Sequence, residues 1–172
     1  MPSVDDLGFH RLTVPALEAL LEGDLVAASR LVGVDLPDFF LGEDWLWRIR
    51  LDQVRSTPGD HAWLVRAVEL TAEHVVVGHA GFHAAPDAAG MVEVAYTVVP
   101  ERRGEGLSHL MLAALVAEAS ASPDVTVVRA TVAPDNLPSL AVVRSAGFVH
   151  VGEQWDDVDG TELIFEQVAR RD

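Results

Sequence analysis

The sequence predicts an α/β fold, a mixed sheet covered by helices on both faces. Three observations carry this. The apolar period changes along the chain, from helical spacing up to Ser56 to β-branched runs after His61. Within Val98–Ser108 a short glycine-containing loop joins an apolar strand to a long amphipathic helix. Near the end, Asp159-Gly160 divides two further strand-like runs with a strong hairpin signal.

Taken in order, Phe9–Val14 reads as a first strand. Pro15–Glu22 and Leu25–Leu31 carry apolar residues at helical spacing, with Gly23 and Gly33 as stops. Asp38–Ser56 reads as one helix ended by Thr57-Pro58-Gly59. Ala62–Val68, Val75–His83 and Met91–Val99 form a meander of strands. Gly104–Ala121 is a helix with Leu107, Leu110, Met111, Ala114 and Leu115 on one face. Val125–Val132 is a strand, and Pro138 opens a helix that stops at Gly147. Phe148–Trp155 and Thr161–Val168 complete the order β-α-α-β-β-β-α-β-α-β-β.

Composition narrows the chemistry. The 172 residues fit one domain, and 49% hydrophobic content supplies a substantial core. A formal net charge of −15 opposes nucleic acid and favours cationic ligands, although solubility alone accounts for most such charge. No apolar run is long enough to span a membrane, and the start lacks a signal-peptide pattern, so a cytoplasmic location is expected. The chain has no Cys, which excludes disulfides, thiolate metal sites and a cysteine acyl-enzyme. All twelve basic residues are Arg, so Schiff-base chemistry and a P-loop lysine are excluded too. His79 and His83 are four apart within a strand pattern, and no metal site is expected. His109 beside Ser108 lacks the glycine that a nucleophile elbow would need at Leu110.

The loop before the long helix is the most informative stretch. The first turn of a helix has backbone N–H groups without intrahelical partners, and with the helix dipole they attract anions. Gly104 and Gly106 let backbone approach a pyrophosphate closely, Arg103 adds a cation, and Arg102 is a candidate for another. Arg103-Gly104-Glu105-Gly106-Leu107-Ser108 resembles the Arg/Gln-x-x-Gly-x-Gly/Ala signature of the GNAT N-acetyltransferase superfamily. Val98-Val99-Pro100 resembles the end of its fourth strand. Asn136-Leu137-Pro138-Ser139 and Ala146-Gly147-Phe148 resemble its Asn-x-x-Ser and Gly-Phe landmarks. With Val92–Tyr96 the set is most similar to the Rim-type branch, which includes acetyltransferases of ribosomal-protein N-termini. The likeness covers Val75–Val168 well and the N-terminal half by element order only. Ser108 departs from the pattern, as a small residue whose hydroxyl could reach a phosphate.

The resemblance implies one acetyltransferase domain over residues 1–172, with a mixed, mostly antiparallel sheet of about seven strands and about four helices. It implies acetyl-CoA as co-substrate, held by Val98, Val99, Arg103, Gly104, Glu105, Gly106, Leu107, Ser108 and Asn136. A backbone N–H near Val98 or Val99 would polarise the thioester carbonyl. Glu93 interrupts an apolar strand and is the candidate base, the bland alternative being an exposed residue on a half-solvated face. Tyr96 lies three residues on, so it should face the other way and pack. Many family members place a proton-donating Tyr where this chain has Val143. Ser139 is the substitute implied, as proton donor or water-holder, with helix capping an equal alternative. Asn136 is open to a turn role, and of Trp45 and Trp47 one should be core and the other could line an acceptor cleft. Asp156, Asp157 and Asp159 form a solvated turn, or attract a cation if the hairpin overhangs the cleft. The expected reaction is direct acetyl transfer to a protein or peptide N-terminus, or to a small amine or amino acid. The expected assembly is a monomer or homodimer. A coenzyme A-binding sensor or scaffold is the alternative.

Overall fold

In the computed structural model, residues 1–169 are described, and they form one seven-stranded sheet. The elements are β1 (Leu7–Arg11), α1 (Val14–Leu21), α2 (Leu25–Val32), α3 (Asp44–Ser56), β2 (Arg66–Leu70), β3 (Val75–Phe82) and β4 (Met91–Val98). Then follow α4 (Leu107–Ala121), β5 (Val127–Val132), α5 (Leu137–Ser145), β6 (Val149–Asp156) and β7 (Gly160–Val168). The strand order is β1-β2-β3-β4-β5-β7-β6. Every neighbouring pair is antiparallel except β4 and β5.

Alternation along the strands divides the core in two. Val68, Val77, Phe82 and Val92 face α4 and α5. Ala67 and Val76 face α1, α2 and α3. The second layer is anchored by Trp47, which is fully buried. Its ring stacks on Phe40 at 5.3 Å between centroids, and its Nε1–H donates to the Phe40 carbonyl at 2.6 Å.

Local chemistry moved several boundaries. The Thr13 hydroxyl accepts the Ala16 N–H and caps α1, so the first strand ends at Arg11 rather than Val14. The stretch expected as one helix over Asp38–Ser56 is a 3-10 turn, Asp38–Glu43, followed by α3. The tighter turn lets Phe40 and, one turn into α3, Trp47 point into the same core. This early part holds three α-helices, and the described residues hold five. Pro58–Ala62 forms another 3-10 turn, so β2 starts at Arg66. The helix expected from Gly104 begins at Leu107, because Gly104 and Gly106 take φ of 82° and 80°, outside the helical region.

Trp47→Ala should remove both the stacked ring and the hydrogen bond. A loss of about 3–5 kcal/mol is expected. Urea unfolding of the two proteins would measure it.

Candidate active site

The parallel pair β4–β5 makes the site. Its pairing runs Met91↔Val127, Val92↔Val128, Glu93↔Arg129 and stops there, although β4 continues to Val98 and β5 to Val132. Beyond Glu93 the two strands part. Their other edges remain paired, β4 to β3 and β5 to β7. In an antiparallel ladder successive residues direct their N–H and C=O to alternate sides. The Val99 N–H donates to the Val77 carbonyl at 2.9 Å, and the Glu93 carbonyl accepts the His83 N–H at 2.9 Å. By that parity Val94, Tyr96 and Val98 direct their backbone groups into the split. The Val98 carbonyl accepts Arg103 Nε at 3.2 Å, as the parity requires. Of the two donors named from the sequence, the Val99 N–H is therefore spent on the sheet.

One cleft of about 700 Å³ opens where α4 and α5 begin, beside the ends of the parted strands. Gly104, Gly106, Leu107 and Ser108 line one lip; Asn136 and Ser139 line the other. From Gly104 to Ser108, no backbone N–H has an acceptor among the described residues. Five consecutive unpaired donors at a helix N-terminus make an anion cradle. The exposed Arg103 beside them spends only its Nε, on Val98. Arg102 lines the same cleft, but its guanidinium is already engaged. Both Glu73 and Glu105 hold it, at 2.9–3.2 Å, and hydrogen bonding to Glu105 and then Glu73 raises its pKa further. The Glu105 side chain is committed to the same cluster, and only its N–H belongs to the cradle.

Asn136 caps α5 by accepting the Ser139 N–H on Oδ1 at 3.2 Å. Capping is thus the work of Asn136. The Ser139 hydroxyl has no partner among the described residues.

A second cleft of about 660 Å³ lies toward the opposite face, between α3 and the β6–β7 hairpin. The two clefts share Tyr96, Thr97, Asn136 and Ser139, so they meet at the split. Glu93 lines the second cleft at the last paired position of β4, with 17% of its side chain exposed. Its Oε1 accepts the Thr131 hydroxyl at 2.6 Å and lies 3.8 Å from His83 Nδ1. Glu43, Asp156, Asp159 and Glu162 also line this cleft. Arg50 is its one cation among the lining residues. It is buried, and donates to Gln53 and to the His83 carbonyl. Burial lowers its pKa, with Glu93 opposing.

Trp47 is the core tryptophan, and Trp45, 58% exposed, lines the cleft. The hairpin does overhang it, through Asp156, Val158 and Asp159. Tyr96 packs against the α4-side core, and burial pushes its phenol up to about 12. Val143 is buried in the core. His109 meets Ser145 at 3.0 Å, not Ser108. Among the described residues no group could hold a metal, and no helix is long and apolar enough to cross a membrane. Sequence reasoning missed Thr131, Arg50, Glu43 and Glu162. Alternation along β5 puts Thr131 on the face of Arg129, but its meeting with Glu93 depends on β5 lying beside β4.

Solved structures share this architecture. A RimL ribosomal L7/L12 alpha-N-protein acetyltransferase in complex with coenzyme A superposes with a TM-score of 0.69 at 16% identity, over 99% of this chain and 98% of that one. RimJ of Mycobacterium smegmatis, in complex with a CoA-disulfide, gives 0.66 at 21%, over 95% and 82%. A spermidine N-acetyltransferase SpeG chimera from Vibrio cholerae and hSSAT gives 0.67 at 13%, over 95% and 96%. No curated protein matches the chain by sequence. A family model described as an acetyltransferase (GNAT) domain matches residues 38–149. That match spans well over half of the sequence, and the chain belongs to the GNAT acetyltransferases, which use acetyl-CoA as co-substrate.

Proposed function

We propose that the protein acetylates a primary amine by direct attack, with Glu93 as base. The observation that carries this is the meeting of two clefts at the split, one lined by unpaired N–H groups and the other by carboxylates. The cradle of Gly104–Ser108, with Arg103, fits the pyrophosphate of acetyl-CoA, and Asn136 borders the arm that follows. The co-substrate supplies an acetyl group already activated as a thioester. The Val98 N–H, directed into the split, is the donor placed to stabilise charge on its carbonyl oxygen.

An amine arrives as an ammonium and must lose a proton before it can attack. Glu93 Oε2 has no partner among the described residues, whereas Oε1 is fixed by Thr131. The carboxylate is thus oriented with one oxygen available. Ser139, whose hydroxyl is not used in capping, serves the departing sulfur. With no Cys in the sequence, transfer proceeds without a cysteine acyl-enzyme.

The acceptor side is acidic and edged by Trp45, Ile49 and Val158. It suits a cationic amine on a body without its own carboxylate nearby, such as a peptide N-terminus or a small polyamine. A free amino acid would bring its carboxylate among Glu43, Asp159 and Glu162, against an Arg50 already engaged.

Glu93→Gln should lower kcat/KM for acetyl transfer by about 10²–10⁴-fold with coenzyme A affinity unchanged. Acceptor-dependent thiol release from acetyl-CoA, with calorimetry for binding, measures both. Coenzyme A binding with no release from any acceptor pool would instead mark a binding module.

The two adjacent arginines should separate cleanly. Arg103→Ala should weaken coenzyme A binding by about 1.5–3 kcal/mol, roughly 10- to 150-fold in Kd. Arg102→Ala should change it by less than about 3-fold, because that guanidinium is already held by two carboxylates. Calorimetric titration of each variant with coenzyme A is the check.

A further inference from the structure

Acetylation of an ammonium releases one net proton. The nitrogen loses two, the departing sulfur takes one, and the other must reach water. A base in the wall of a cleft has to pass its proton on before it can act again. We propose that His83 is the positioning residue that carries this proton from Glu93 to solvent. The inference rests on Glu93 being the base.

His83 directly follows β3 and lies beside Glu93 across the sheet. Its Nδ1 is 3.8 Å from Glu93 Oε1, beyond direct hydrogen-bond range, so transfer requires a small closing movement of the ring, of the kind by which catalytic contacts tighten once substrate binds. Thr131 also gathers on Oε1, which leaves Oε2 for the amine. Exposure rises outward along this path, from 17% for the Glu93 side chain to 47% for that of His83.

The backbone holds the ring in place. The His83 N–H donates to the Glu93 carbonyl at 2.9 Å. Its carbonyl accepts Gln53 Nε2 at 2.7 Å and Arg50 Nη1 at 3.2 Å. These bonds tie β3 to α3 and survive any change of the side chain.

Three charged groups face the imidazole: Glu93 from β4, Arg50 from α3 and Glu162 from β7. The nearby Asp60 is occupied by Gln53 and the Ala85 N–H. Burial lowers the His83 pKa below its ordinary value. Glu93 and Glu162 oppose this and Arg50 adds to it. The ring is therefore neutral at neutral pH and able to accept. The step balances. The ammonium gives a proton to the Glu93 carboxylate. The resulting carboxylic acid turns to present its O–H to His83 Nδ1 and gives up the proton there, restoring the carboxylate. The imidazolium gives a proton to water.

The test compares pH profiles of kcat/KM for acetyl transfer in the unaltered protein, His83→Ala and Glu93→Gln, with and without added imidazole. His83→Ala should slow transfer about 10-fold or more and lose an ionisation lying below the ordinary histidine value. Neutral imidazole should restore part of the rate, since the cleft is open and the ring is the only group removed. His83→Asn, which preserves bulk, should show the same loss if His83→Ala proves unstable. A near-normal rate in the variant overturns the proposal. So does a uniform loss at every pH with no response to imidazole, which marks a structural role. Full activity in Glu93→Gln would instead remove the reading of Glu93 on which the relay rests.

Discussion

The separation of β4 from β5 past Glu93 and Arg129 governs this molecule. Backbone polar groups inside a fold are almost always paired. Here a sheet of seven strands leaves the β5-facing edge of β4 without a strand partner beyond the Glu93–Arg129 pair, with the Val98 carbonyl taken by Arg103 Nε. That edge is open to a ligand able to hydrogen-bond like a strand. Because β4 and β5 are parallel, each leads into a helix at the same end of the sheet. The N-termini of α4 and α5 therefore form the two lips of the split, and the anion cradle stands where the backbone opens.

Charge is sorted across the split. One cleft presents N–H groups and Arg103, while the other presents carboxylates. Arg102 also lines the first, but Glu73 and Glu105 hold its guanidinium, so it braces the loop that carries Arg103. Arg50 is withdrawn from the second by burial and its bonds to Gln53 and the His83 carbonyl. What remains open is anionic toward an amine and cationic toward a pyrophosphate, consistent with holding both partners of a transfer reaction at once.

The N-terminal third supports this from behind. Phe40, Trp47 and His79 pack ring against ring, and Glu43 sits 3.2 Å from His79 Nε2. That cluster fixes α3 against β3. Trp45, Ile49 and Arg50, on the turns around Trp47, are then presented to the cleft. The 3-10 turn before α3 is part of the same device, since it brings Phe40 and Glu43 to the cluster.

Much of this was legible in the sequence. β3 to β7 stand close to where β-branched runs and turn residues placed them, because those signals are local. The loop at Arg103–Ser108 was legible for the same reason: glycines at positive φ and a helix start lie within six residues. That Trp45 and Trp47 face differently followed from helical geometry. The sequence could not show that Asp38–Ser56 breaks at Glu43, since the break serves contacts with β3. Nor could it show that Val99 is spent on Val77, that Arg102 is neutralised by Glu73 across 29 residues, or that Thr131 and His83 converge on Glu93. Each depends on which strands are neighbours and in what register. Local sequence determines the period of a strand and the chemistry of a loop. Only the folded sheet decides which side chains meet across it.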